Sequence, residues 1–267
     1  MSDRPSERWY VRQRERDLEA RGRSESLLGP ERAIFAEMMG LTANCLDAVF
    51  AGGRFDDLPS RRMIEFGNHA FNLLWSAWDE ALAGRYDASR GHVRSIGESC
   101  EFLMALIADP QIADRLGDST KDVYLARRVV KDALERGEPG AGRAHFDVMK
   151  KAHDDVQALS HVCNRAISEA LPLLNVGGQT IGVVRPGGAT SQIALRLVAI
   201  PLAGSAAQLF GILSGGLAEA ADIEEDLWRR AVRRAETLAD ELSSELGTMG
   251  TMAPMQTLYF ARSDEEL

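Results

Sequence analysis

The chain has 267 residues, of which 45% are apolar and 27% charged, and its formal net charge at neutral pH is −9. This length and composition are typical of a globular protein with a sizeable core. The acidic balance excludes a protein that coats DNA or RNA by bulk electrostatic attraction, although a local basic groove stays compatible with it.

The N-terminal segment, residues 1–27, alternates arginine with acidic residues, as in RQRERDLEARGR. This pattern predicts a charged arm that is either a solvated helix or a mobile segment. It contains no apolar stretch typical of a signal peptide, so we expect a cytoplasmic protein. The cysteines Cys45, Cys100 and Cys163 have no CxxC spacing. Buried reduced thiols are therefore expected rather than a zinc knuckle or a redox pair.

Apolar residues recur at intervals of three and four through most of the remaining chain, which predicts helices with one buried face. In chain order, the predicted helices are Glu31–Phe50, Arg61–Leu82 with Ser60 as its cap, Tyr86–Ile107, a short helix at Ile112–Leu116, a helix capped by Ser119 or Thr120 that runs to about Arg136, Arg143–Leu174, Ser191–Leu213 and Leu217–Leu246. Without the short helix at Ile112–Leu116, the sequence therefore predicts an all-α bundle of six or seven helices.

One segment, NVGGQTIGVVRPGGATS, interrupts the helical pattern. Its glycines and β-branched residues predict a short hairpin around residues 176–188, with Thr180–Val184 as a strand. The residues after Gly247 are polar and predict a loose tail. The resulting organisation is an arm over 1–27, a single helical domain over 28–246 and a tail over 247–267.

The most apolar stretch, Ile193–Leu213, is long enough to span a membrane. It contains Arg196, Pro201 and Gln208, which a lipid-facing helix tolerates poorly. We therefore interpret it as the core helix of a soluble protein, with a bend at Pro201.

Arg94 and Glu98 lie four residues apart beside the apolar stripe of Tyr86–Ile107, with Glu101 one turn further on. One interpretation is a polar site in the bundle, in which the guanidinium holds a carboxylate or phosphate and Glu98 orients it. The other is an ordinary ion pair on a half-exposed helix face.

A second candidate site lies in KKAHDDVQALSHVCNRAISEAL. Helical periodicity places Ser160 and His153 near the edge of the apolar face and Asn164 slightly beyond, as candidate binding residues. His161 falls further round, either as a surface histidine or as a general acid or base, because histidine titrates near neutral pH.

The sequence gives little support for a metal site, a bound cofactor or hydrolase chemistry. Glu65 and His69 have an i,i+4 spacing, but no helix supplies a matching ExxH partner, so no metal site is predicted. The glycine segment lacks both GxxxxGK[ST] and a convincing GxGxxG, and a turn before a capped helix is the simpler interpretation. No GxSxG occurs either, and we expect no cofactor.

The segments RYDASRGHVRSIGESCEFLMAL and DVQALSHVCNRAI resemble the motifs of an uncharacterised bacterial family of helical proteins that is grouped near the HEPN-like bundles. The matching positions are Arg94, Glu98, Ser160 and His161. Some HEPN-like proteins are ribonucleases of toxin–antitoxin and phage-defence systems. The resemblance covers about Phe55–Leu174 and implies a helical bundle in a defence or stress module.

The sequence departs from the catalytic HEPN-like pattern, which places an arginine four to six residues before a histidine on one helix. The nearest match is Arg85 and His92, and Gly84 indicates that the helix only begins there. We therefore expect a binding or regulatory protein, with a protein partner or RNA, no membrane association and a homo-oligomer as an open option. The alternative is a metal-independent ribonuclease that uses Arg94, Glu98 and His161.

Overall fold

The computed structural model describes residues 5–51, 57–116, 121–140, 142–143, 173–176, 179–182 and 192–216, together with scattered positions between 230 and 244. The helices of the described chain are α1 (Pro5–Leu27), α2 (Pro30–Ala51), α3 (Leu58–Leu82), α4 (Tyr86–Ala108), a 3-10 helix (Pro110–Arg115), α5 (Asp122–Gly137) and α6 (Gln192–Gly216). The all-α fold class predicted from the periodic pattern is confirmed.

A single antiparallel hairpin interrupts the helices of the described chain. Strand β1 (Leu173–Val176) pairs with β2 (Gln179–Gly182), with Leu173 opposite Gly182. The strand β1 begins a few residues before the hairpin predicted around residues 176–188, and its first two residues belong to the segment predicted as the helix Arg143–Leu174. The predicted strand Thr180–Val184 overlaps β2, and its last two residues lie outside the described chain.

Helix α4 lies at the centre of the bundle. It contacts α3, α5, α6 and the 3-10 helix, while α2 packs mainly on α6. The side chains that these contacts remove from water include Phe35, Leu74, Ile96, Leu103, Leu202 and Phe210. Burial of this apolar surface is the main force that holds the helices together.

Helix α3 begins earlier than predicted because its cap is Asp57 rather than Ser60. The Asp57 carboxylate accepts a hydrogen bond from the Ser60 backbone N–H at 2.7 Å and another from the Ser60 hydroxyl at 2.8 Å. These bonds lower the pKa of Asp57. Pro59 fits in the first turn, where a missing N–H has no cost.

A three-residue connection joins α3 to α4. Gly84 has a φ of +74°, a conformation that side-chain-bearing residues rarely adopt. Its N–H donates to the Ala81 carbonyl at 3.0 Å, which closes the end of α3. The short turn forces the two helices to lie side by side.

An aromatic stack links α2 to α3. The Phe35 ring lies parallel to Trp78, with 4.0 Å between centroids and 7° between ring planes. Trp75 stacks more loosely on Phe35, at 6.3 Å and 24°, and its outer surface is exposed. Trp75 therefore lies at the margin of the core.

Helix α6 contains the segment Leu195–Gly216, which is long and apolar enough to cross a membrane, and 56% of its apolar window is buried inside the bundle. Such burial is compatible with the predicted core helix of a soluble protein. Pro201 lies within this helix with its side chain exposed.

The predicted arm and tail can be compared with the structure only in part. Residues 1–27 fall largely within α1, and a boundary at residue 27 stays a prediction. The described positions between 230 and 244 are helical, as the predicted helix Leu217–Leu246 requires, and Leu238 is buried. The predicted tail, 247–267, lies outside the described residues.

Two glycines within helices offer a matched test of packing. Gly40 in α2 has open space where a Cβ would lie, whereas a Cβ on Gly67 in α3 would lie 3.0 Å from Leu213 Cδ2. We expect Gly40→Ala to raise the free energy of unfolding by up to about 1 kcal/mol, because alanine loses less entropy in a helix. Gly67→Ala should gain less or destabilise, because Leu213 must move. Chemical denaturation measures both, and an equal gain at the two positions would contradict the described α3–α6 contact.

Candidate functional site

Arg94 and Glu98 form an ion pair on the surface of α4. Arg94 Nε donates to Glu98 Oε1 at 2.8 Å, and the two side chains are 45% and 22% exposed. This geometry matches the second of the two interpretations, an i,i+4 pair along a helix face. The accessible guanidinium can still contact an anion in solution, so Arg94 stays a candidate site residue.

The buried ion pair of α4 lies one turn further on, at Glu101. The side chain of Glu101 is 1% exposed, and Arg127 Nε on α5 lies 2.8 Å from each of its carboxylate oxygens. Burial raises the pKa of Glu101, and the hydrogen bond from Arg127 opposes that rise. The pair is sealed between helices, which suits a structural contact better than a reaction with solvent-borne substrate.

Sequence reasoning missed the Glu101–Arg127 pair because its members are 26 residues apart. The sequence around Glu101 in α4 does contain a signal that this residue is buried. Glu101 directly follows the core residue Cys100 and precedes the apolar run FLMALI, whereas Arg94 and Glu98 lie in the mixed segment HVRSIGES. A charge inside an apolar run needs a partner, although the sequence does not identify which helix supplies it.

A second buried ion pair joins the beginning of α2 to α6. Arg196 Nε donates to Glu31 Oε1 at 2.9 Å, and the side chains are 13% and 3% exposed. Glu31 lies in the first turn of α2, where the helix dipole stabilises a negative charge. Arg196, which argued against a membrane span in the sequence, therefore contributes to the interior of the bundle.

Five charged side chains form an ionic clasp between α1 and the end of α3: Asp17, Arg21, Asp79, Glu80 and Arg85. Arg21 donates both terminal nitrogens to Asp79, with Nη2 to Oδ2 at 2.6 Å. Arg85 donates Nη1 to Asp17 at 2.6 Å and Nε to Glu80. These bonds lower the pKa of Asp79 and raise the pKa of both arginines.

The ionic clasp also includes Arg85, which together with His92 was the nearest match to the catalytic HEPN-like pattern. Arg85 precedes the first residue of α4, and its side chain is held by Glu80 and Asp17. His92 lies within α4 and is partly exposed. The two residues therefore do not share one helix, as Gly84 had indicated.

The thiols in the described chain are poor nucleophiles. Cys45 and Cys100 are buried and free. Burial raises the pKa of Cys45, and burial together with the neighbouring Glu101 raises the pKa of Cys100 to about 12. Because the thiolate is the reactive form, neither cysteine is suited to covalent catalysis at neutral pH.

The remaining predicted site residues are His153, Ser160, His161 and Asn164, and all four lie outside the described residues. Whether His161 meets Arg94 and Glu98 therefore stays a prediction. Within the described residues, no group of three or more His, Cys, Asp or Glu side chains is arranged to hold a metal ion. Glu65 pairs with Arg62 at 2.9 Å, and His69 is exposed.

Comparison with known proteins identifies no matching family model, no matching curated protein and no matching solved structure. The resemblance to HEPN-like bundles therefore stays a prediction from the two sequence segments that carry it.

The two ion pairs of α4 provide a matched test of burial. Arg127→Met leaves the Glu101 carboxylate buried without a partner and should lower the free energy of unfolding by about 3–5 kcal/mol. The double variant Glu101→Leu/Arg127→Met should lose less, because no orphan charge remains. As controls, Arg94→Met and Glu98→Leu should each lose less than about 1 kcal/mol.

Urea denaturation of the single and double variants measures these losses. Equal, small losses at Arg127 and Arg94 would show that Glu101 reaches water in solution.

Proposed function

We propose that this protein is a cytoplasmic binding or regulatory protein of a bacterial defence or stress module, and that it engages a protein partner through the N-terminal tip of α1. The tip comprises residues 9–16, WYVRQRER. The observation that carries the proposal is the exposure of Trp9, Tyr10 and Val11, at 56%, 63% and 53%.

The geometry of α1 leaves the tip uncovered. Arg21 of α1 pairs with Asp79 of α3, whereas Asp17, which lies earlier in α1, pairs with Arg85, which lies after the end of α3. The two helices are therefore antiparallel, and the N-terminal part of α1 extends past the end of α3. Successive helical residues point about 100° apart. Because three consecutive large side chains are each more than half exposed, most of the circumference of α1 is in contact with solvent at this point.

The residue types of the tip favour a protein partner. Tryptophan, tyrosine and arginine are the side chains that most often dominate the binding energy of protein interfaces. Trp9 and Tyr10 offer large rigid surfaces that lose little conformational entropy on binding. Adjacent apolar side chains that are exposed to water often mark a protein–protein interaction site, so a bound partner accounts for them.

The charge of the tip indicates the chemistry of that partner. The tip has three arginines, Arg12, Arg14 and Arg16, and one glutamate, whereas the whole chain has a net charge of −9. All three arginine side chains are exposed. A partner with an acidic rim around an apolar pocket matches this surface, and opposite charges would speed the encounter.

The alternative function is a metal-independent ribonuclease that uses Arg94, Glu98 and His161. The accessible guanidinium of Arg94, held at 2.8 Å by Glu98, favours it, because such a group can bind an RNA phosphate. The resemblance to the HEPN-like bundles supports both functions, since that group includes ribonucleases of defence systems.

The tip can be tested with a matched aromatic control. We expect Trp9→Ala/Tyr10→Ala to lower partner recovery about tenfold or more, because it removes two anchor side chains. Tyr124→Ala on α5, where the side chain is 69% exposed, should leave recovery unchanged. Affinity purification with quantitative mass spectrometry measures recovery, and thermal melting shows whether each variant is folded.

The same experiment, repeated after ribonuclease treatment of the lysate, separates protein from RNA. Recovery that persists after treatment supports a protein partner, and recovery that disappears shows that RNA bridges the complex. Equal recovery with the tip variant and with Tyr124→Ala would refute the role of the tip.

The ribonuclease alternative predicts RNA cleavage by the purified protein in the presence of a chelator. Arg94→Ala and His161→Ala should each reduce cleavage by about a hundredfold or more, as loss of an acid–base or charge-stabilising group does. His69→Ala is the control, because His69 is an exposed histidine on α3. Cleavage that all three variants retain would exclude these residues as the catalytic set.

A further inference from the structure

The contact between α1 and the bundle is small. Among the side chains of residues 9–27, Ala20 and Ser24 are fully buried, and Leu27, the last residue of α1, packs partly buried against the core. Because Ala20 and Ser24 are short and Leu27 lies at the end of the helix, burial of apolar surface contributes little to the docking of residues 9–26. The first large core side chain is Leu28, which follows the last residue of α1 and is 1% exposed.

One of these two buried side chains opposes docking. The Ser24 hydroxyl is fully buried and is without a hydrogen-bond partner in the described structure. A hydroxyl in this position has lost its hydrogen bonds to water and gained none in return. Separation of α1 from the bundle would restore them.

Among the contacts of the described residues, the ionic clasp is the main polar link between α1 and the bundle. Its two links between α1 and the bundle, Arg21–Asp79 and Asp17–Arg85, lie one turn apart on the same side of α1. The four side chains are 22% to 49% exposed, so solvent ions reach them. Pairs of this kind weaken as salt rises.

We propose that α1 is a salt-sensitive latch, which separates from the bundle about Leu28–Gly29 when the ionic clasp is screened or broken, while α2 to α6 stay folded. Leu28 and Gly29 lie between α1 and α2 and are not helical, and glycine has more backbone freedom than any other residue, so a hinge fits this connection. Leu28 stays in the core and marks the fixed end of the motion. This inference does not depend on the identity of any partner of the α1 tip.

Hydrogen exchange of the full chain, followed by mass spectrometry, tests the latch directly. Raising salt from about 0.1 M to about 1 M shortens the screening length from about 10 Å to about 3 Å. We expect the amides of residues 9–27 to exchange about tenfold faster at the higher salt, as a locally opening segment does. The amides of α3 and α4 should keep their protection.

Two variants on α3 separate the clasp from general effects of charge. Asp79→Asn breaks the link to Arg21, so α1 should exchange fast even at low salt and respond less to added salt. Glu65→Gln is the matched control, because Glu65 pairs with Arg62 within α3 itself. It should leave the exchange of α1 unchanged.

Two results would overturn the latch. The first is equal protection of α1 in the unmodified protein and the Asp79→Asn variant at both salt concentrations, which would make α1 an integral part of the core. The second is faster exchange in α3 and α4 together with α1, which would show that the bundle opens as one unit.

Discussion

A carboxylate that cannot reach water governs the arrangement of helices around α4. Glu101 is buried where α4 meets α5, and Arg127 is the side chain that compensates its charge. A buried charge tolerates little displacement of its partner, because the attraction that offsets desolvation depends on close geometry. The pair therefore fixes the position of α5 along α4, whereas the surrounding apolar contacts, which lack direction, would allow neighbouring alignments. Glu31 and Arg196 set the position of α6 on α2 in the same way.

The fold could be predicted from the sequence for helices in which the apolar residues recur at intervals of three and four and form a single buried face. In α3, for example, Met63, Leu74 and Trp78 lie at helical spacing in the sequence and are buried in the structure. Boundaries were less accurate where a capping side chain decided them, as Asp57 does for α3. The hairpin was displaced because β1, LLNV, contains the leucines that also complete a helical pattern. Local sequence does not distinguish these outcomes, because the choice depends on contacts made after the chain has folded.

The candidate site could be predicted only within one helix. The i,i+4 spacing of Arg94 and Glu98 indicated correctly that they would meet, because that distance is a property of the helix itself. It did not indicate their exposure, which depends on the neighbours of α4. Pairs that join different helices, such as Arg21 with Asp79 across 58 residues, leave no spacing signal at all. The exposure of the α1 tip could not be predicted for a related reason. An aromatic pair beside arginines has the same sequence whether it packs on the bundle or is exposed.

The turn at Gly84 has a consequence for how the chain folds during synthesis. Because it holds α3 and α4 side by side, these two helices can pair as soon as both have left the ribosome, with little loss of chain entropy. Helices α2, α3 and α4 also pack on α6, which begins only at Gln192. Until that segment emerges, the apolar side chains that α2, α3 and α4 bury against α6 lack this partner. Exposed apolar surface makes a nascent chain prone to aggregation, so we expect general chaperones to bind it while the middle third is translated.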